Sequence, residues 1–356
     1  MVHTLLHFGA GALGRGLILP LLANQTTHIC IADTNTAVVD KIRSEGGYPI
    51  AVFDRGRRGD EFIPISRAFA LGRDDHALDI YLREVNLVTT SVQVGNLPDV
   101  VRRLARIWRS SPKRRTVIGC ENLRKVGGFI EALFRAENVE LSDRIFAPDC
   151  VVDRICSASP PDLLVETEYY TEWVIEASIN TDIPGPNIAA DVDRLFFRKR
   201  YLVNTLADAV AFIGIRKGHS LLHEAVSDRA ILREVSPLLA LLRSHLVRVF
   251  AFDQKEIMDY QDLSLERLSN PSISRRLETV ARDPWRKFGP TERFMEPLLA
   301  ESDAGRDVTA AVQTMRSIIA NVEPERATAS SLLSSSWGTW VTNPLFGKLI
   351  DECGAR

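Results

Sequence analysis

Two rhythms divide the chain. As far as about residue 176, short apolar runs alternate with amphipathic stretches, and from Asp191 onward the spacing of apolar residues is mostly helical. In the first part, residues 4–8, 28–32, 85–90 and 116–120 predict buried strands, while 17–23, 36–43 and 97–108 predict helices. Strands that alternate with helices favour a parallel, doubly wound sheet, which binds ligands beyond the carboxyl ends of its strands. The arginine-rich stretch 54–61 predicts an exposed hairpin, and 151–155, 163–168 and 173–176 predict strands that extend the sheet. A Pro/Gly linker at 180–186 then separates off a second part, with helices predicted at 191–198, 201–213, 220–232, 236–252, 273–281 and 310–320. In the 236–252 segment Leu238, Leu239, Leu242, His245, Leu246 and Val249 form one apolar stripe, which places His245 in a core. The expected fold is therefore α/β: a Rossmann-type dinucleotide-binding domain with extra strands over 1–185, and a mainly α-helical substrate and catalytic domain over 186–356.

Composition narrows the function. At 356 residues the chain is long enough for two cores, and 45% hydrophobic with 25% charged residues is ordinary globular usage. A formal net charge of −2 gives no reason to expect nucleic acid or an anionic membrane as partner. The five cysteines are an odd number without a CxxC pair, so neither a disulfide framework nor a zinc ribbon is indicated. No apolar run approaches a membrane span, and 4–8 is too short for a signal-peptide core. A cytoplasmic protein acting on a small molecule is expected.

The first strand runs into Gly9-Ala10-Gly11-Ala12-Leu13-Gly14 and then a helix, the context a dinucleotide fingerprint requires. Gly9 permits the tight turn, Gly11 leaves room for the pyrophosphate, Gly14 lets helix and strand pack, and the amides from Ala10 to Leu13 face the phosphates. Asp33, at the tip of the second strand, is placed to accept from the adenine ribose hydroxyls and would repel a 2′-phosphate, favouring NAD; alternatively it caps the helix that follows. Thr89, Thr90 and Ser91 end another strand and Glu121 and Asn122 follow a third, so both ends, with Thr89, Thr90 and Asn122 as cofactor contacts, should face the cofactor. An Asn there either donates to a developing alkoxide or makes a turn.

In the second part, Arg198-Lys199-Arg200 precedes Asn204 in a stretch with no Gly or Pro. As α-helix it would hold Lys199 and Asn204 roughly 140° apart around the axis. The region holding Arg275, Arg276, Arg282, Arg286, Lys287 and Arg293 is either a charged surface or a source of guanidinium groups for an anionic substrate. His219 and His223 are four apart, yet no carboxylate or Cys groups with them, and no metal is predicted.

Together these pieces resemble the polyol-specific long-chain dehydrogenases, the mannitol dehydrogenase family. The resemblance rests on His7 to Gly11 with Gly14-Arg15-Gly16, Ala32-Asp33, Leu87 to Thr90, Cys120-Glu121-Asn122, Val152 to Ile155, Glu166-Thr167 through Trp173, Lys199 with Asn204-Thr205, Gly218-His219, and Asn270-Pro271 through Pro297. It implies metal-independent hydride transfer between NAD and a secondary alcohol or ketone of a polyol-like, phosphorylated or otherwise anionic substrate lying between the two domains. It further implies Lys199 as general base, Asn204 and Asn122 as stabilisers of the alkoxide, substrate contacts from Arg198, Arg200, His219, Arg286 and Arg293, and a monomer or small homo-oligomer. The chain departs from the pattern at Ala207, where the family's Lys-x4-Asn-x2-His signature has a histidine. Losing such a donor costs about 100- to 1000-fold in rate. Two alternatives stay open on that account: a dehydrogenase of specialised metabolism acting on a hydroxy acid, phosphonate or cyclitol, and a non-catalytic NAD-binding paralogue.

Overall fold

Strands buried on both faces are apolar without alternation, and the apolar runs of the first part form such a sheet. The structure, a computed structural model, describes residues 5–23, 28–139, 144–177 and 185–350. Most of the predicted linker at 180–186, and Cys353, lie outside these. The chain divides into two units, Met1–Phe196 and Phe197–Arg356. In chain order the first unit contains β1 (Leu5–Phe8), β2 (Ile29–Asp33), β3 (Gly47–Asp54), β4 (Arg57–Pro64), β5 (Arg67–Ala70), β6 (Leu87–Thr90), β7 (Arg115–Gly119), β8 (Ile145–Phe146), β9 (Cys150–Asp153), β10 (Cys156–Ala158), β11 (Val165–Glu168), β12 (Glu172–Glu176) and β13 (Asn187–Ala189).

The main sheet is parallel, in the order β5-β2-β1-β6-β7-β8. The chain first works outward from β1 through β2 to β5 and then returns to the other side of β1 at β6. The crossovers therefore reverse between β1 and β6, and a crevice opens there beyond the strand ends. One crossover, the helix Leu97–Trp108, buries Leu97, Val100, Val101, Leu104, Ala105 and Trp108, the apolar stripe its sequence predicts.

The predicted hairpin is longer than 54–61: β3 and β4 pair antiparallel over eight residues each, around a tip where Arg55 and Gly56 both have positive φ. The segments expected to extend the main sheet are strands, but they assemble into two further sheets, β10-β11-β3-β4 and β13-β12-β9. Strand lengths explain this. The edges of the main sheet are the four-residue β5 and the two-residue β8, which offer few free ladder groups, whereas β3 offers an eight-residue edge to β11.

The second unit is helical. At its centre Leu206–Arg216 buries nine consecutive residues, Leu206 to Gly214, as a helix enclosed on all sides must. Arg229–Val249 is one helix that continues through Pro237, whereas the sequence predicts two helices with a break at 233–235. A further helix, Gln254–Leu268, follows with Asp253 as its cap. Among the described residues no helix is long and apolar enough to cross a membrane.

Candidate active site

The cleft at the reversal point, about 540 Å³, is lined by the ends of β1, β2 and β6, including Gly9, Gly11, Asp33, Ser91, Val92 and Gln93. Its volume falls in the range of small-molecule pockets. The glycines have separate reasons to be glycine. Gly9 has φ +112°, and a Cβ there would lie 2.5 Å from the Ser91 carbonyl oxygen. A Cβ on Gly14 would lie 2.3 Å from His7 Nε2, whereas one on Gly11 would meet no protein atom within 4 Å. Gly11 therefore leaves the approach to the loop backbone open on the cleft side.

Asp33 accepts from the backbone N–H groups of Ala10 and Asn35. The cap of the next helix, Thr36–Glu45, is Asn35, whose side chain accepts from Val38 N–H, so the capping alternative for Asp33 does not hold. A carboxylate has about four lone-pair positions, and two remain for ribose hydroxyls. Leu13 is half-buried against the core. These residues fit a dinucleotide.

Thr89 and Thr90 back this cleft from within the sheet. Both are fully buried: Thr89 Oγ1 lies 2.7 Å from His7 Nδ1, and Thr90 Oγ1 donates to Glu121 at 3.0 Å. His7 Nε2 in turn lies 2.9 Å from Ser91 Oγ. Burial lowers the imidazole pKa to about 3, so the neutral ring has one donor and one acceptor for its two hydroxyl partners. Asn122, next to Glu121, is exposed and so open to a ligand.

In the second unit the geometry differs from an ideal helix at the decisive place. The α-helix Val192–Lys199 passes into a π-helical turn, Arg200–Thr205, before Leu206–Arg216 resumes as α. Hydrogen bonds from i to i+5 widen the turn. Residues five apart, such as Lys199 and Asn204, then come one above the other rather than 140° apart, and both are half-buried.

The cations expected at the substrate sort into groups. Arg200 and Arg286 both reach Glu292 at 3.0 Å. Lys287 and Arg293 both reach Asp208, at 3.0 and 3.1 Å, inside the unit. Burial raises the Asp208 pKa, with the two cations opposing it, and burial lowers those of Lys287 and Arg293. Two of the predicted contacts stand apart from these. Arg198 packs over the Tyr260 ring at 4.2 Å, 3.5 Å from Glu256, and His219 Nε2 lies 3.2 Å from Asp228. Ala207 is buried. His245 is buried with its Nδ1 2.7 Å from Glu301. Among the described residues no cluster of three or more His, Cys, Asp or Glu could hold a metal ion.

Sequence alone does not show that Glu121 is held by Thr90, Val92 and Gln93, that His7 lies between Thr89 and Ser91, or that Lys287 pairs with Asp208.

Comparison with known families agrees with this layout. The model of the mannitol dehydrogenase Rossmann domain matches residues 3–188, and that of the mannitol dehydrogenase C-terminal domain matches residues 191–334. The chain belongs to the mannitol dehydrogenase family. It is therefore an oxidoreductase, a dehydrogenase acting on CH–OH groups. Among relatives, a mannitol-1-phosphate 5-dehydrogenase of Lactiplantibacillus plantarum is 30% identical over 87% of this chain and 84% of its own. Solved structures share the fold: a D-sorbitol dehydrogenase in substrate-free form (17% identity, TM-score 0.76, covering 99% of this chain and 92% of that one) and a Pseudomonas fluorescens mannitol 2-dehydrogenase in ternary complex with NAD and D-mannitol (18% identity, TM-score 0.75, covering 99% and 91%).

Proposed function

We propose that this chain is an NAD-dependent dehydrogenase that interconverts a secondary alcohol and a ketone of a phosphorylated polyol, as in a mannitol-1-phosphate 5-dehydrogenase. The observation that carries it is the π turn, which stacks Lys199 over Asn204 within a chain of this family. The dinucleotide supplies the hydride acceptor or donor. Gly9 to Leu13 hold its phosphates, Asp33 accepts from the adenine ribose and disfavours a 2′-phosphate, and Thr89 and Thr90 act from behind the loop. Lys199 removes the hydroxyl proton in oxidation and returns it in reduction. Asn204 donates to the alkoxide, and Asn122 is assigned the same role; an amide does this at any pH.

The preference for an anionic substrate rests on charge. Around Glu292 and Asp208, four cations share two carboxylates, and the excess is positive. Relatives named as mannitol-1-phosphate 5-dehydrogenases support a sugar phosphate in particular. Free thiols at Cys30, Cys120, Cys150 and Cys156 suit a reducing, cytoplasmic setting. One observation favours a second substrate class, a hydroxy acid, phosphonate or cyclitol: the histidine position is the buried Ala207, and its neighbour Asp208 is engaged by Lys287 and Arg293.

The test is NADH titration followed by turnover of mannitol 1-phosphate, its ketose phosphate, the unphosphorylated sugars and a panel of small hydroxy acids. We expect sugar phosphates to lead. Lys199→Ala should retain NADH binding and lose at least about 100- to 10,000-fold in kcat. Preference for hydroxy acids would select the second reading, and NADH binding without any turnover would mark a non-catalytic protein.

A further inference from the structure

Glu121 carries a carboxylate in a place where a charge is costly: it is 6% exposed, and burial raises its pKa. What holds it is a set of three donors from one short segment. Oε1 accepts from Thr90 Oγ1 at 3.0 Å and from Val92 N–H at 2.8 Å, and Oε2 accepts from Gln93 N–H at 3.0 Å. Two successive backbone amides thus converge on one side chain 28 and 29 residues further along the chain. Gln93 needs the help. Its φ is +71° with ψ 145°, a conformation that L side chains rarely adopt and that persists only where surroundings enforce it. His7 holds Ser91 from the other side, and Asn96 Nδ2 donates to the Val92 carbonyl. Ser91, Val92 and Gln93 are also the β6 wall of the dinucleotide cleft, with Gln93 exposed in it.

We propose that Glu121 is a positioning residue that presets the segment Ser91 to Gln93, and with it the left-handed Gln93, as a wall of the cofactor cleft. This rests on the reading of that cleft as the dinucleotide site. Without Glu121, binding would first have to order the segment, and that cost would appear in cofactor affinity rather than in the chemical step.

Glu121→Gln is the informative change. If the amide oxygen stays with Thr90 and Val92, the NH2 group faces the Gln93 N–H, donor against donor. NADH affinity, read from nicotinamide fluorescence on the folded protein, should fall about tenfold, while kcat at saturating cofactor stays within about twofold. Thr90→Val, which removes one bond of the three, should lower affinity about threefold. Gln93→Gly supplies a residue that adopts positive φ freely, so in that background Glu121→Gln should cost much less than tenfold. An equal cost in both backgrounds, or a fall in kcat matching the fall in affinity, would overturn the proposal. Failure of the unaltered protein to bind NADH would instead overturn the reading of the cleft, and this inference with it.

Discussion

Two helices of this chain contain a π turn beside a proposed functional group, and they are held by opposite means. Gly14–Ile18 follows the glycine loop. The Arg15 carbonyl accepts from Tyr48 Oη at 2.8 Å and the Gly16 carbonyl from Arg154 Nη1 at 2.6 Å, donors 33 and 138 residues away in sequence. Arg15 itself is fully buried and links the Ala10 and Leu163 carbonyls. Arg200–Thr205 instead satisfies its Arg200 carbonyl with the hydroxyl of its own Thr205, at 2.9 Å. A widened turn displaces carbonyls from their usual partners, and each displaced group must find another. The first turn depends on tertiary structure and the second on a local side chain. The first should therefore fail together with the packing around it, whereas the second can be altered almost alone.

The largest effect should come from breaking the first turn at its origin. In Gly14→Ala the new Cβ would lie 2.3 Å from His7 Nε2 and 2.5 Å from the Gly9 carbonyl oxygen, and the latter is backbone that cannot swing away. Overpacking of this kind costs about 1–3 kcal/mol. Because the displaced atoms form the cleft floor, NADH affinity should drop about 100-fold or more, beyond the loss seen in a urea midpoint. A variant that binds NADH normally would show that the loop tolerates what the spacing forbids.

Tyr48→Phe tests the long-range support alone. It leaves the ring in place but strands the Arg15 carbonyl inside the first unit. An unsatisfied buried acceptor costs about 1–3 kcal/mol, measurable as a lower urea midpoint at constant slope. NADH affinity should weaken with it and kcat at saturation should hold, since nothing on the second turn has changed.

These turns also mark where reading the sequence stopped. The glycine spacing, Asp33 and the apolar strands were legible because their signals are local: a fixed offset, a terminal acid, a run without alternation. Leu97–Trp108 was legible from its period. A π turn widens one turn by a single residue and leaves the surrounding hydrophobic stripe intact, so the 140° separation of Lys199 and Asn204 followed correctly from a helix that is not there. Glu121 was passed over in favour of Asn122 because its partners, Thr90, Val92 and Gln93, are brought to it only by the β6–β7 pairing. The substrate contacts that the resemblance implies are divided by packing, with Arg200 and Arg286 on Glu292, Arg293 on Asp208, and Arg198 and His219 held elsewhere.

The smallest change sharpens the comparison most. Thr205→Val keeps the shape of a fully buried side chain and removes only the hydroxyl that reaches the Arg200 carbonyl, with the Arg293 carbonyl 3.4 Å away as an alternative acceptor. One ordinary hydrogen bond contributes about 1 kcal/mol, so stability should fall by no more than about that. The consequence for activity is larger in proportion. Without its local cap the turn gains less from staying wide, and relaxation toward α geometry would rotate Asn204 away from Lys199. The proposed pair of lysine and amide would lose part of its preorganisation, and kcat should fall about tenfold with cofactor affinity unchanged. Steady-state kinetics on the best substrate of the panel reads this directly. An unchanged kcat would mean that the surrounding helices, and not Thr205, keep the turn wide, which would make the second turn as dependent on tertiary packing as the first.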